Sequence, residues 1–246
     1  MRGVSIVAIA LVCAMAPSVV AQAAPRYDVR RLNGAVFMEQ VHTDVVTQSG
    51  SAERERIVVR TAQFGIAVHG DTLVVTTDTL DLRETADGVQ RAIDVDAAIG
   101  GRWKLTLGAR GNATVITQPF VPGEIGDVSD IAIAMHDFFP PAPPSLTAGK
   151  PGVEAPERRW RRLADSAGLS RYHWSERRQS DSSYVAGDSV PVRTSVDTKE
   201  AGDVAWDIAR GPIAWSRRVE TTATSRFAGR TNRAVIDQRI VVRRLR

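Results

Sequence analysis

Apolar and polar residues alternate along most of the chain, and Gly, Asn and Asp interrupt the alternation at short intervals. A period of two broken by turn residues predicts β-strands joined by tight connections. Segments 27–32 and 36–46 flank Asn33-Gly34, a dipeptide that favours a two-residue hairpin. On the second of these strands Phe37, Val41 and Val45 share one face, and Met38, Gln40, His42 and Asp44 share the other. Segments 57–68 and 72–82 predict a further hairpin around His69-Gly70-Asp71. Their alternation shifts near Thr76 to Asp78, which predicts a bulge. Segment 89–99 fits either a strand or a short helix, and 101–107 pairs with 113–118 across Ala109-Arg110-Gly111-Asn112.

One segment departs from this pattern. Ile125, Val128, Ile131, Ala132, Met135 and Phe138 recur at helical spacing, and Asp127, with Asp130 three residues on, caps the predicted helix. Pro140-Pro141 ends it at Phe139. Segment 140–156 is rich in Pro and Gly and reads as a connector. Strands resume at 158–163, 169–178 and 189–197. Val204, Trp206 and Ile208 then share a face, Arg210-Gly211-Pro212 turns the chain, and Ile213, Trp215 and Val219 share the next face. The last strand groups Ala234, Ile236, Ile240 and Val242 against Asp237, Arg239 and Arg243. One dry and one wet face marks an antiparallel sheet.

The expected fold is mainly β (α+β): a curved antiparallel sheet or incomplete barrel with one main helix packed on it. Its halves, 24–139 and 157–246, would share one sheet or core. They are faintly alike, since Leu105 and Leu107 lead through an Arg-Gly turn to Val115 as Trp206 and Ile208 lead to Trp215.

Composition places this fold in a compartment. Met1-Arg2 is a positive start, Gly3 to Met15 is an uncharged apolar run, Pro17 breaks it, and Ala21-Gln22-Ala23 offers a small-x-small cleavage site. This is the pattern of a secretory signal peptide over residues 1–23, so the expected location is secreted or periplasmic. The run is shorter than the roughly 20 residues that cross a bilayer. Val12 before Cys13 is too large for a lipidation site. Cleavage after Ala23 leaves 223 of the 246 residues and removes the single cysteine, which excludes disulfides and thiol chemistry from the remainder.

The formal charge of +4 is too mild to imply nucleic acid, but it is unevenly spread. Residues 154–246 carry a net +7 and residues 24–153 a net −4. Lys104, Lys150 and Lys199 are the only lysines, so the excess is arginine, whose planar guanidinium suits carboxylate and phosphate. A transmembrane barrel would also alternate, but charges such as Asp237, Arg239 and Arg243 on one face would cost about 2–4 kcal/mol each against lipid.

Candidate chemistry is sparse. No nucleophile elbow, phosphate loop, calcium loop or closely spaced histidine pair occurs, so no cofactor and no metal is implied. His42 and Asp44 share a strand face with Gln40 and offer a base–carboxylate pair. His136-Asp137 offers a second at the helix end, while His69 lies in a turn and His173 between Tyr172 and Trp174. Arg158, Arg159, Arg161 and Arg162 flank Trp160, a cluster suited to anionic glycan or lipid headgroups. Alternation puts Arg159 and Arg161 on one face and Arg158 and Arg162 with Trp160 on the other. Phe37, Phe64, Trp103, Trp206 and Trp215, with Met135 and Phe138 of the helix, are the candidate lining of an apolar cavity.

Phe139-Pro140-Pro141, the Gly149 to Gly152 connector with Trp160 beyond it, and the run from Gly202 through Trp206 to Ile213 resemble an uncharacterised family of secreted bacterial proteins. The layout is also similar to periplasmic lipoprotein carriers, which implies an incomplete barrel around an apolar cavity closed by helices. The function expected is non-catalytic binding of an apolar or amphiphilic small molecule between sheet and helix. The alternatives are an envelope scaffold that binds a protein or anionic polymer through the Arg-rich half, and a hydrolase built on a His-Asp pair.

Overall fold

The computed structural model describes residues 24–126, 135–146, 151–155, 158–186 and 190–246. Among these, twelve strands form one sheet, and every pairing is antiparallel. The first half contributes β1 (Val36–Ser49), β2 (Ala52–His69), β3 (Thr72–Ala86), β4 (Val89–Ala92), β5 (Arg102–Leu107) and β6 (Ala113–Thr117). The second contributes β7 (Pro151–Ala155), β8 (Arg158–Arg162), β9 (Ser170–Ala186), β10 (Val190–Asp207), β11 (Gly211–Phe227) and β12 (Arg230–Arg244). The spatial order is β6-β5-β3-β2-β1-β12-β11-β10-β9-β8-β7, with β4 beside β3. The first and last strands of the described chain therefore pair at the centre, and each half runs outward from that seam as a meander.

Uninterrupted alternation makes the central strands long. The 18 residues of β2 span about 60 Å at roughly 3.3 Å per residue. Core packing occupies only the end of the sheet around Phe37, Phe64, Leu73, Trp206, Trp215 and Val242, all 0–5% exposed. We call the face that carries these residues the inner face.

Tyr27 shows that the sheet is curled. Its backbone N–H donates to Ala109, just beyond β5, and its ring centroid lies 5.0 Å from that of Trp206 on β10. Those strands are six spacings apart, about 29 Å in a flat sheet. One side chain bridges them because the sheet wraps into an open half-barrel. The Tyr27 hydroxyl, whose pKa burial raises well above its ordinary value, donates to the Pro140 carbonyl at 2.7 Å. That bond draws segment 135–146 across the inner face. Phe138 lies edge-on to Phe64, Trp215, Phe37 and Phe139 at 5.3, 5.6, 5.9 and 5.1 Å. Ala142 N–H donates to the Arg110 carbonyl, and Gly111 admits the segment. At φ +94° a Cβ on Gly111 would stand 2.6 Å from the Pro140 oxygen.

The helix expected over 125–139 is corrected in part. Helix α1 covers Gly123–Gly126, and residues 135–139 are turn and bend. Phe138 and Phe139 are both buried and Pro140 follows, which suits a bent strap lying on the sheet. Asp127, Val128, Asp130, Ile131 and Ala132 lie outside the described residues. Within the span read as a connector, Pro151–Ala155 forms β7.

The Asn33-Gly34 hairpin does not form either. Val29–Leu32 is a 3-10 turn capped by the Asp28 carboxylate. Asn33 instead accepts from Val68 N–H, and Gly34 N–H donates to Ile66. The Asn-Gly pair thus docks the chain on β2 before β1 begins. Elsewhere the pattern holds. β2 and β3 form the expected hairpin, with Gln63 opposite Thr79 and Phe64 opposite Thr77, so Asp78 is the bulge. Segment 89–99 divides into β4 and a 3-10 turn at Asp96–Ala98. The two hairpins that suggested a repeat occupy unlike places, β5–β6 at an edge and β10–β11 in the interior.

Gly202 is where backbone approach matters most. Trp174 lies over it, and a Cβ there would stand 2.4 Å from the indole and 2.5 Å from the Ser216 carbonyl. Gly202→Ala should lower stability by about 1–3 kcal/mol through overpacking. Phe138→Ala should cost about 3–5 kcal/mol by opening the aromatic cluster. Denaturant melts of both variants measure these losses, and an unchanged midpoint for Phe138→Ala would contradict the role given to the strap.

Candidate functional site

The register sorts the inner face into rows that cross the sheet. Glu39, Val242, Trp215, Val204 and Tyr172 form one row, and Val41, Ile240, Arg217, Gly202, Trp174 and Trp160 the next. A third holds Glu84, Val58, Thr43, Gln238, Val219, Glu200, Glu176 and Arg158. The strap covers the aromatic rows. At these last rows the apolar core gives way to charge.

The charges form a band from β4 to β8. Glu84, 4% exposed, accepts from Arg56 at 2.5 Å and from Arg91. Glu39 and Arg60, 2% and 4% exposed, pair at 2.9 Å. Arg217 lies 3.8 Å from Glu200 and 3.9 Å from Asp137 of the strap. Arg178 reaches Glu200 at 3.3 Å and Glu176 at 3.0 Å, and Arg158 meets Glu176 at 2.6 Å. Trp174 Nε1 also donates to Glu200 at 3.4 Å. Burial alone would raise the Glu84 pKa, but the hydrogen bonds from Arg91 and Arg56 outweigh it and hold the carboxyl below its ordinary value. A cavity of about 110 Å³ lies between the strap and this band, bounded by Glu39, Arg60, Asp137, Arg217 and Gln238.

Beyond the band the strands continue without a covering segment among the described residues. Their inner positions are Val45, Ile236, Thr221 and Thr198, then Thr47, Ala234, Ala223 and Val196, then Ser49, Asn232, Ser225 and Thr194. These side chains are small, mostly uncharged and in large part half-buried. A groove of about 480 Å³ lies at the far end of this strip, lined by Thr47, Ser49, Arg54, Ala223, Arg233 and Ala234 among others. No sequence signal marked it, because Thr, Ala and Ser at alternate positions read as ordinary strand.

The residues expected to line a cavity do converge. Phe37, Phe64, Trp103, Met135, Phe138, Trp206 and Trp215 are all buried, at 0–5% exposure, in one cluster. Their rings pack on one another, so they form a filled floor rather than the wall of an open site. The Arg158 to Arg162 cluster divides between the faces as alternation requires. Arg158 and Arg162 point inward to Glu176 and Asp165, and Trp160 is buried 5.7 Å from Trp174. Arg159 and Arg161 remain exposed on the outer face. Arg159 borders an outward groove of about 610 Å³ with Arg177, Lys199, Arg218 and Glu220.

His69 ends β2 rather than lying in the turn, and the other two strand histidines, His42 and His173, face outward in pairs. His42 Nε2 lies 2.9 Å from Asp44, and His173 Nδ1 lies 3.1 Å from Asp203. Neither lines the grooves described above, and no group of three metal-ligating side chains occurs among the described residues. The outer face is otherwise laced by ion pairs. Arg218 holds Asp237 at 2.8 Å and Arg177 holds Asp197 at 2.9 Å, and these bonds keep both carboxyls below their usual pKa.

No protein-family model and no curated protein sequence matches the chain. The motifs around 139–141 and 202–213 therefore stand without a family assignment. Two solved structures are distantly similar. One is a structure of lipid–protein interactions in lipovitellin, with a TM-score of 0.47 and 9% identity over 86% of this chain. This chain spans only 25% of the lipovitellin chain. The other is OpdQ of Pseudomonas aeruginosa, with a TM-score of 0.26 and 8% identity over 86% of this chain and 98% of that one. Neither likeness bears on function.

The band makes two predictions. Arg60→Ala leaves Glu39 buried without its partner and should cost about 3–5 kcal/mol, whereas Glu39→Leu with Arg60→Met should be nearly neutral. Chemical denaturation of the single and double variants reads the difference. Because the folded-state pKa of Glu84 lies below 4.5, its stabilisation is complete above that pH and is lost as pH falls through the depressed value. Glu84→Gln should flatten this acid limb of the stability profile, and an unchanged limb would refute the assignment.

Proposed function

We propose that the protein is exported and holds an amphiphilic molecule, without catalysis, on the inner face of its half-barrel. The observation that carries this reading is the uncovered strip through Val45, Ile236, Ala223, Ala234 and Val196, bounded at one end by the charged band. The strip offers an apolar chain a half-buried bed, and the band offers its polar end hydrogen-bonding and charged groups. A groove of about 480 Å³ is of ordinary size for a small-molecule site. The aromatic cluster below serves as a rigid floor, which keeps the strip in shape while the ligand enters and leaves.

The apolar-ligand reading moves away from the seven aromatic residues because their rings already occupy the space between them. The outer face supports a second reading. Arg159 and Lys199 border the 610 Å³ groove without an ion pair among the described residues, which favours an anionic polymer there. The signal sequence at 1–23 motivates export in both readings.

Lipid extraction and mass spectrometry of protein purified from native envelopes should recover an amphiphile in near-stoichiometric amount. Ile236→Asp and Ala223→Arg should each reduce that yield at least about tenfold, since a charge on the strip costs on the order of the apolar contact it replaces. Empty wild-type protein, or variants that retain the molecule in full, would sink the proposal.

A further inference from the structure

The small cavity beneath the strap holds a charge that the fold leaves loosely met. Arg217 borders it from the inner face of β11, with its side chain 17% exposed. Its guanidinium makes no hydrogen bond among the described residues, and its nearest carboxylates stand 3.8 Å away at Glu200 and 3.9 Å away at Asp137. Neither is a close partner. Glu200 already accepts from Arg178 at 3.3 Å and from Trp174 at 3.4 Å, and Asp137 is 67% exposed, so water screens it. Across the cavity Glu39 and Arg60 pair at 2.9 Å and cancel in charge. A guanidinium carries five N–H donors and no acceptor, and donors taken out of water cost free energy until something accepts from them.

The cavity adjoins the uncovered strip. Arg217 lies opposite Ile240 of β12, and Gln238, two residues along that strand, also borders the cavity and donates to Thr43 at 3.2 Å. Ile236, the first apolar position of the strip on β12, follows on the same face about 7 Å further on. From Ile240 to Ala234 the inner face of β12 runs about 20 Å, close to the extended length of a long acyl chain. Size restricts the head group. The cavity of about 110 Å³ equals the volume of roughly three or four water molecules at about 30 Å³ each. A carboxylate with its first methylenes fills that space, whereas a phosphodiester with a glycerol on each side exceeds it.

We infer that the amphiphile is a single-chain carboxylate, a fatty acid, whose head enters this cavity and accepts from Arg217. This head-group site presupposes the ligand bed proposed on the strip. Arg217 meets the carboxylate as a fork, two N–H groups to two oxygens, a geometry that makes such bonds strong and selective. The Glu39–Arg60 pair forms the far wall, and Phe138 and Pro140 of the strap roof the head. The tail leaves past Gln238 and lies on Ile236 and Ala234.

Titration of lipid-free protein with palmitate, methyl palmitate and dipalmitoyl phosphatidylglycerol, each delivered from cyclodextrin, tests this. Palmitate should bind best. Arg217→Gln should weaken it about 10- to 100-fold, the range for hydrogen bonds to a charged group, and leave methyl palmitate unaffected. Asp137→Asn removes a carboxylate close to the incoming head and should tighten palmitate about two- to fivefold. Carbon NMR of carboxyl-labelled palmitate gives an independent readout. Arg217 favours the ionised carboxyl, so the bound pKa should be lower in the wild type than in Arg217→Gln. Circular dichroism checks the fold of Arg217→Gln, and Asp137→Asn, a change at an exposed residue, tests the site if that variant unfolds. Palmitate and its ester binding alike, with the same carboxyl pKa in both proteins, would overturn the head-group site and leave the strip reading standing. Palmitate binding that Asp137→Asn fails to tighten, or a preference for phosphatidylglycerol, would overturn it as well. Uptake of neither palmitate nor its ester would remove both proposals.

Discussion

Everything in this fold rests on one aromatic contact, the seating of Phe138 among Phe37, Phe64 and Trp215. Those three side chains come from β1, β2 and β11, which lie within three strand spacings of one another, so the ring of Phe138 caps a stretch of sheet about 14 Å wide. The strap bearing Phe138 is held in turn by Tyr27 and the Arg110 carbonyl, so the sheet curls around a plug rather than merely carrying one. Edge-to-face packing adds directional preference to the burial of large rings. A twisted sheet of twelve strands tends to curl, and the plug fills the concave side that the curl creates.

The plug also sets where the core ends. Strands of 14 to 18 residues at the seam extend well past the aromatic floor. At the boundary the inner positions switch from Phe and Trp to Glu and Arg. Buried carboxylates are tolerable there because each meets one or more guanidiniums from a neighbouring strand. Gly202 belongs to the same boundary, since its missing side chain lets Trp174 lie flat on the sheet beside Glu200. The band separates a dry, rigid half from a half-buried, uncovered half. The uncovered half has the plain Thr, Ala, Ser and Val surface that an alkyl chain can slide across without breaking an ion pair.

Charge on the outer face works differently. Through most of the sheet, cross-strand pairs such as Arg218–Asp237 and Arg177–Asp197 neutralise one another in water. Exposed pairs of this kind add little stability, but they keep two-sided strands from associating through bare apolar surface. Like charges that fall opposite one another, as Arg218 does Arg239 and Arg177 does Lys199, sit beside these carboxylates.

Alternation of apolar and polar residues was enough to read a mainly β chain, the β2–β3 hairpin with its bulge at Asp78, the β5–β6 hairpin and the opposite faces of β12. Each depends on neighbours in sequence and on the period of two, so local information suffices. The helix was misread at its described end because Met135 and Phe138 satisfy helical spacing and a strap that buries both against a sheet equally well. Asn33-Gly34 misled for a similar reason: the dipeptide favours a tight turn, and its partner, β2 rather than the preceding segment, is not encoded nearby. Composition identified the aromatic residues that meet but could not show that they fill the space they enclose. The pairing of β1 with β12, the curl, the band from Arg91 to Arg158 and the uncovered strip beyond it are products of tertiary structure alone. They join residues as far apart as Phe37 and Arg244, and only the register of the folded sheet brings them within reach of each other.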